Sequence, residues 1–306
     1  MKKYYTGDPS EIIQSFHNVS LQVHCCRYWW IKNWEHKELS FPFWRIYSNV
    51  QKGGFMEYRQ QAYEMEPDKL YLIAPNTNYS SRLHHNYIPE DGYNLTGGRI
   101  SETPKKELEK LIKNGAIEHL FIHFTLGYPY DHVSPGIYIF NMNKHLESKV
   151  KLLRNYLTKH VAQFNFTVSL TIQSLICELL FGMGEENWKY PIRDVRIAKV
   201  INHIEKNIGE DFTNESLANI ANMATNAFSR LFKEYTGNTL QNFIKKKRVN
   251  KACLLLLHSN HSIDEIAERT GFANRYHFTR IFSRIKGYAP AKYKKEGFIP
   301  GFLDNY

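Results

Sequence analysis

Two segments of this 306-residue chain repeat one pattern about 50 residues apart. The first reads Phe228-Ser229-Arg230-Leu231-Phe232 and ends at Gly237; the second reads Phe278-Thr279-Arg280-Ile281-Phe282 and ends at Gly287. Each follows a short apolar helical pattern, Leu217-Ala218-Asn219-Ile220-Ala221 and Ile263-Asp264-Glu265-Ile266-Ala267. Helix, tight turn, second helix and glycine is a helix-turn-helix written twice. A tandem pair on a basic segment implies one chain reading two stretches of DNA groove.

The charge agrees with that placement. Residues 191–306 hold 19 Lys and Arg against 11 Asp and Glu, whereas the first 190 hold 21 against 19. A basic final third beside a nearly neutral remainder is the footprint of a nucleic-acid module joined to something else. Cys25 and Cys26 are adjacent, and Cys177 and Cys253 lie in apolar runs, so the four cysteines give neither a disulfide framework nor zinc spacing. The polar residues after Met1-Lys2-Lys3 are not a signal peptide, and no window is apolar enough to span a membrane. The expectation is a cytoplasmic protein with no membrane partner.

Residues from about 20 to 142 read as strands. Short runs at 44–47, 55–58, 69–73 and 120–124 are separated by Gly-Gly, Pro-Asp and Pro-Asn turn signals, the pattern of a sandwich or barrel. A polar insertion lies between Leu83 and Ala116, with a short helix expected over 104–113. From Lys144 the period changes. Leu146, Val150, Leu153 and Leu157 form an a/d seam over two heptads, either a helix lying on its own domain or a dimerisation helix. A second helix is expected over 167–181, then a break at 182–187, then a C-terminal domain from 191. Its long helix, about 239–257, separates the two repeats.

In a helix-turn-helix the second helix presents its first turns to base edges in the major groove. Residues three and four apart share a helix face, so Asn226, Ser229 and Arg230 point away from the Phe228/Leu231/Phe232 core. Tyr276, Thr279 and Arg280 repeat the arrangement at a shift of 50. These six are the expected base-contacting residues, since Arg pairs with guanine, Asn with adenine, and Thr can touch a thymine methyl. Arg275, Lys246, Lys247, Arg284 and Lys286 are expected at phosphates, with the whole Lys245–Arg248 run and Lys292 in the same class.

Residues 195–298 resemble the DNA-binding domain of the AraC/XylS family of bacterial transcription regulators. The residues that carry the resemblance are Leu217-Ala218, Phe228 to Lys233, Gly237, Arg248, Ala252, Leu255-Leu256, Ile266-Ala267, Gly271-Phe272, Phe278 to Phe282, Gly287, Pro290 and Tyr293. Ala224 departs from the family pattern, where a capping Ser is usual, and Ser283 replaces a usual Lys. The strand order, the Pro75-Asn76 turn and His119-Leu120-Phe121-Ile122-His123-Phe124 are similar to the cupin-type sensor barrel of sugar-responsive members. The resemblance implies a ligand-controlled homodimer, with double-stranded DNA, a small effector and RNA polymerase as partners.

His119, Phe121 and His123 alternate and so share one face of a strand, which Tyr47, Asn49, Tyr79 and Ser81 can join. An aromatic face with hydroxyl, amide and imidazole groups suits a sugar or similar polar effector; the alternative is a set of satisfied core residues. A metal cupin needs His-x-His, a following Glu and a later His. The barrel segment has no His-x-His, the adjacent His84-His85 point to opposite faces, and His123 alone cannot supply three or four ligands, so no metal ligands, catalytic residues or cofactor are assigned. The expected architecture is an α+β multidomain chain. It has a cupin-like effector-binding barrel over 1–143, a helical dimerisation segment over 144–190, and an all-α DNA-binding domain with two helix-turn-helix motifs over 191–306. The rival readings are a constitutive DNA binder with a purely structural barrel, and a cupin enzyme fused to a DNA-binding domain.

Overall fold

The computed structural model describes residues 19–90, 93–188 and 194–296. The expected domain boundary near residue 191 falls outside the described residues. The N-terminal half is one antiparallel sheet of nine strands in the order β4-β3-β6-β1-β8-β2-β5-β9, with β7 also paired to β1. Its strands are β1 (Gln22–Leu39), β2 (Trp44–Asn49), β3 (Gly54–Tyr58), β4 (Gln61–Glu64), β5 (Lys69–Ile73), β6 (Tyr79–Leu83), β7 (Tyr93–Arg99), β8 (Ile117–Thr125) and β9 (Ile137–Asn141). The 18-residue β1 pairs β8 along its first half and β7 and β6 along its second, which curls the sheet into a half-barrel. Tyr58 on β3 donates to the carbonyl of Pro135 just before β9 at 2.8 Å, drawing the two ends of the sheet together.

Side chains alternate across the curled sheet, as the strand period requires. Trp29, Ile31, Trp34, Tyr47, Met56, Tyr71, Tyr79, Ile117 and Phe121 fill the concave face. Tyr28, Trp44, Ile46, Leu70, Leu72, Leu120, Ile122 and Phe124 face outward, where α2 (Lys144–Leu157) and α3 (Phe166–Phe181) cover them. Asn143 and Asn165 cap these helices by accepting backbone N–H groups. Leu146, Val150, Leu153 and Leu157 are all buried against this sheet and α3. The dimerisation expected of that seam is corrected here: its apolar stripe is covered by its own chain. The segment expected to be a polar insertion contains β7 and α1 (Lys105–Lys113).

The C-terminal half is all helical: α4 (Val195–Lys206), α5 (Asn214–Ile220), α6 (Thr225–Thr236), α7 (Leu240–His258), α8 (Ile263–Arg269), α9 (Arg275–Lys286) and α10 (Pro290–Glu296). It has two cores. Phe228 and Phe232 of α6 pack with α4, α5 and the first half of α7; Phe278 and Phe282 of α9 pack with α8, α10 and the second half of α7. The 19-residue α7 therefore belongs to both.

The two halves of the molecule touch. Phe41 and Phe43, in the turn before and at the approach to β2, join the core around α7, α8, α9 and α10. Tyr128, in the loop after β8, joins the core around α4 to α7, and its N–H donates to Glu205 Oε2 at 3.1 Å. Glu205 in turn pairs with Lys247.

Candidate nucleic-acid interface and sensor site

Helices α6 and α9 each span 12 residues, start 50 positions apart, and end at left-handed glycines, Gly237 (φ 67°) and Gly287 (φ 84°). Each turn before them passes through a left-handed residue, Asn222 (φ 52°) and Gly271 (φ 73°). Phe228 and Phe232 of α6, and Phe278, Ile281 and Phe282 of α9, point inward, which leaves the opposite face to solvent. On that face Asn226, Arg230, Tyr276 and Arg280 are exposed, and Ser229 and Thr279 are half-buried. Tyr276 is 84% exposed, which leaves its ring with no packing role in the fold. Ser229 accepts a hydrogen bond from Asn214 Nδ2 at 3.3 Å. Arg275, Tyr276, Thr279, Arg280 and Ser283 line a groove of about 400 Å³ closed on one side by Pro290 and Ala291 of α10.

The basic residues divide. Lys246 and Arg284 are exposed; Lys246 donates to Asn238 Oδ1 at 2.8 Å, and Arg275 lies 3.3 Å from Asp264. Lys286 is half-buried. Lys247 is not available to a phosphate: it pairs with Glu205 and lies over the rings of Tyr128 and Phe243 at 5.2 and 5.4 Å. Arg248 likewise turns inward, donating to the carbonyls of Ile208, Gly271 and Glu210. Both expectations are corrected by the same physics, because acceptors of the chain's own fold hold the two cationic heads.

A family model described as a helix-turn-helix domain matches residues 217–296. This segment is an AraC-type helix-turn-helix domain. The HTH-type transcriptional activator RhaS of Salmonella schwarzengrund is 32% identical over 97 residues, 32% of this chain and 35% of RhaS. The probable transcriptional regulator LumQ of Photobacterium leiognathi is 24% identical over 157 residues, 51% of this chain and 62% of LumQ. The chain thus matches about a third of one relative and under two thirds of the other. Across nearly the whole chain, the crystal structure of ToxT from Vibrio cholerae O395 aligns with a TM-score of 0.50 at 11% identity, covering 92% of this chain and 99% of ToxT. That likeness gives the fold alone: a curled antiparallel sheet followed by a helical domain.

In front of the AraC-type domain, the concave face of the sheet gathers most of the residues expected there. Tyr47 and Tyr79 bring their hydroxyls to 3.2 Å, and Arg45 Nη1 donates to Tyr79 at 3.1 Å. His119 Nδ1 is 2.7 Å from Asn49 Oδ1. That oxygen only accepts, so Nδ1 carries the proton and Nε2 keeps a lone pair. Burial, reinforced by Arg154, pushes His119 down to about 3 and holds it neutral. Trp34 packs against both rings, 5.7 Å from Tyr47 and 5.2 Å from His119, and Phe121 stacks on His119 at 5.6 Å. Ser81 instead donates to the carbonyl of Trp34 at 2.9 Å. His123 stands at the edge of this cluster and faces His258 of α7, Nδ1 to Nε2 at 3.3 Å.

Arg45 is the residue the sequence did not single out. It is fully buried, stacked between Phe41 and Tyr79 at 4.9 Å from each ring. Its Nε and Nη2 have no hydrogen-bond partner, and it forms no ion pair among the described residues. One signal was present: a charged residue in an otherwise apolar strand, Trp44-Arg45-Ile46-Tyr47.

Proposed function

We propose that the chain is a sequence-specific DNA-binding transcription regulator controlled by a small effector held in the concave face of its sheet. The observation that carries the reading is the AraC-type domain with two equivalent helices that expose the same face, Asn226/Ser229/Arg230 and Tyr276/Thr279/Arg280. Arg230 and Arg280 read guanine edges, each worth about 1–3 kcal/mol of discrimination. Lys246, Arg275, Arg284 and Lys286 hold the phosphates and set register. The regulator acts in the cytoplasm, and RNA polymerase is its partner at an activated promoter. No helix among the described residues is long and apolar enough to cross a membrane.

Tyr47, Asn49, Tyr79, His119 and Phe121 supply stacking and hydrogen bonds for the effector. Arg45 supports an acidic group on it, because a buried guanidinium with two unpaired nitrogens calls for an anion. A sugar acid or a similar polar acid fits both features. The effector acts by binding one arrangement of the sheet and the AraC-type domain better than another, the condition for shifting any two-state equilibrium. The contacts of Phe41, Phe43 and Tyr128 with α4 to α10 are where that shift is felt.

The homodimer reading moves from α2 to α3. Phe166, Leu170, Cys177 and Phe181 are exposed on one face of α3, with Phe181 92% exposed. Phe181→Lys is expected to convert a dimer to a monomer in light scattering while circular dichroism shows the fold retained. A monomeric wild type at the same concentration refutes this face.

The regulator reading is tested by selection from sheared genomic DNA with the wild type, Arg230→Ala and Arg280→Ala. A two-part motif is expected in the wild type. Each variant is expected to lose about 1–3 kcal/mol there and to relax the preference at one position of its own half. Unchanged preference in both variants rejects the groove-reading role.

A further inference from the structure

At the junction of the two halves, three side chains from three distant parts of the sequence converge. Cys25 on β1 and His123 on β8 are direct cross-strand partners, so their side chains rise from the same face of the sheet. The register slips between Val23 and Cys25, leaving His24 as an extra residue beside them. His258, the last residue of α7, reaches down from the AraC-type domain. One potential ligand atom from each of Cys25, His123 and His258 lies within 4.8 Å of the other two. The Phe43 ring closes one side, 5.0 Å from His123 and 5.7 Å from His258.

The two imidazoles do not satisfy one another. Their facing nitrogens stand 3.3 Å apart, and the outer nitrogens, His123 Nε2 and His258 Nδ1, are buried without a partner. Two neutral rings can share one proton between the facing nitrogens. One ring then keeps an N–H with no acceptor and the other a lone pair with no donor. A facing separation of 3.3 Å is also the spacing of two nitrogens that share one tetrahedral ion, each bonded at about 2.0–2.1 Å. Burial holds both imidazoles well below their ordinary range, which keeps them in the lone-pair form a metal needs.

We propose that Cys25, His123 and His258 form a binding site for a thiophilic transition-metal ion, Cu⁺ or Zn²⁺, that ties the sheet to α7 of the DNA-binding half. One thiolate and two imidazoles are soft and borderline donors, and the cluster contains no carboxylate for a hard ion such as Mg²⁺ or Ca²⁺. On binding, the Cys25 S–H gives its proton to solvent as the metal–sulfur bond forms, and no electron is transferred. Burial holds the Cys25 thiol above its usual range, the Arg27 charge and the backbone N–H of His123 offset part of that rise, and the ion itself must stabilise the thiolate. Arg27, Arg45 and Lys251 surround the cluster with positive charge. A monovalent ion on a thiolate adds no net charge there, which favours Cu⁺ over Zn²⁺. An ion bound to residues of both halves stabilises their docked arrangement over any in which α7 has moved away.

The test uses the full-length protein, reduced and stripped with a chelator, and reads metal rather than DNA, so its failure leaves the regulator reading standing. Wild type, Cys25→Ser, His258→Gln and the exposed-cysteine control Cys177→Ser are titrated anaerobically with Cu⁺. A second series uses Zn²⁺, each ion against a chromophoric competitor, and metal is counted after gel filtration. One equivalent is expected in the wild type and in Cys177→Ser, with affinity at least about tenfold lower in Cys25→Ser and His258→Gln. Circular dichroism of the stripped proteins shows whether each variant is folded. Should His258→Gln misfold, the loss of the copper–thiolate ultraviolet band in Cys25→Ser decides. Zn²⁺ retained at the same residues in place of Cu⁺ upholds the site and names its occupant. Neither ion held at one equivalent, or equal retention by Cys25→Ser, overturns it.

Discussion

Arg248 shows how a residue's role depends on where its chain neighbours place it. Lys245-Lys246-Lys247-Arg248 reads as one basic run, yet two of its members face solvent and two face the interior. Arg248 joins α7 to the segment after α4 and to the turn between α8 and α9 by donating to three carbonyls. Gly271 is required where the guanidinium passes, since a Cβ there would lie 2.6 Å from Arg248 Cζ. Arg248→Ala leaves those carbonyls without donors and is expected to lower unfolding stability by about 2–4 kcal/mol in urea titrations. A loss under 1 kcal/mol contradicts this bracing role. A phosphate role predicts the reverse, weaker DNA binding with stability unchanged.

At the scale of elements, the two recognition helices differ at their first residue. α9 is capped by Asn274, whose side chain accepts from the His277 N–H, whereas Ala224 stands at the cap position of α6 and offers no side-chain acceptor. The Ala224 backbone is already extended (φ −63°, ψ 139°), as a capping serine requires. Ala224→Ser is therefore expected to stabilise the protein by about 1 kcal/mol, and Asn274→Ala to cost about as much, read as shifts in the denaturant midpoint. The helices and most strands were legible in the sequence because caps, glycine stops and apolar period are local signals. β7 was not, because Gly97-Gly98 reads as a turn. Within the sheet those glycines admit Trp30 instead: a Cβ on Gly97 would meet its carbonyl at 2.7 Å, and one on Gly98 its ring at 2.7 Å. Nor could the period of α2 say whether its seam would meet a second chain or its own sheet, since both present the same apolar stripe to the helix.

For the whole molecule, burial of histidine sets the response to acid. Burial pushes His24 and His36 down to about 4, His119 and His132 to about 3, and His123 and His258 well below their ordinary 6.5. Between about pH 4 and 6.5 the unfolded chain binds protons that the folded chain does not, so stability rises with pH across that window. Asp131, pushed up to about 7 by burial, has the opposite sign and offsets one of the six. The urea midpoint is expected to be level above about pH 7 and to fall steeply from 6.5 towards 4, with a shallower slope in His258→Gln; a midpoint unchanged down to pH 5 refutes the linkage. The tandem helix-turn-helix, its exposed Arg230 and Arg280, and the change from strands to helices at Lys144 were legible in the residue pattern alone. Those features rest on spacings of a few residues, which one chain segment can carry alone. Packing settled the rest: the burial of the α2 seam, the inward turn of Lys247 and Arg248, the partly satisfied Arg45, and the meeting of Cys25, His123 and His258. Most of these depend on surfaces brought together from distant parts of the sequence, and no local period encodes which surfaces those are.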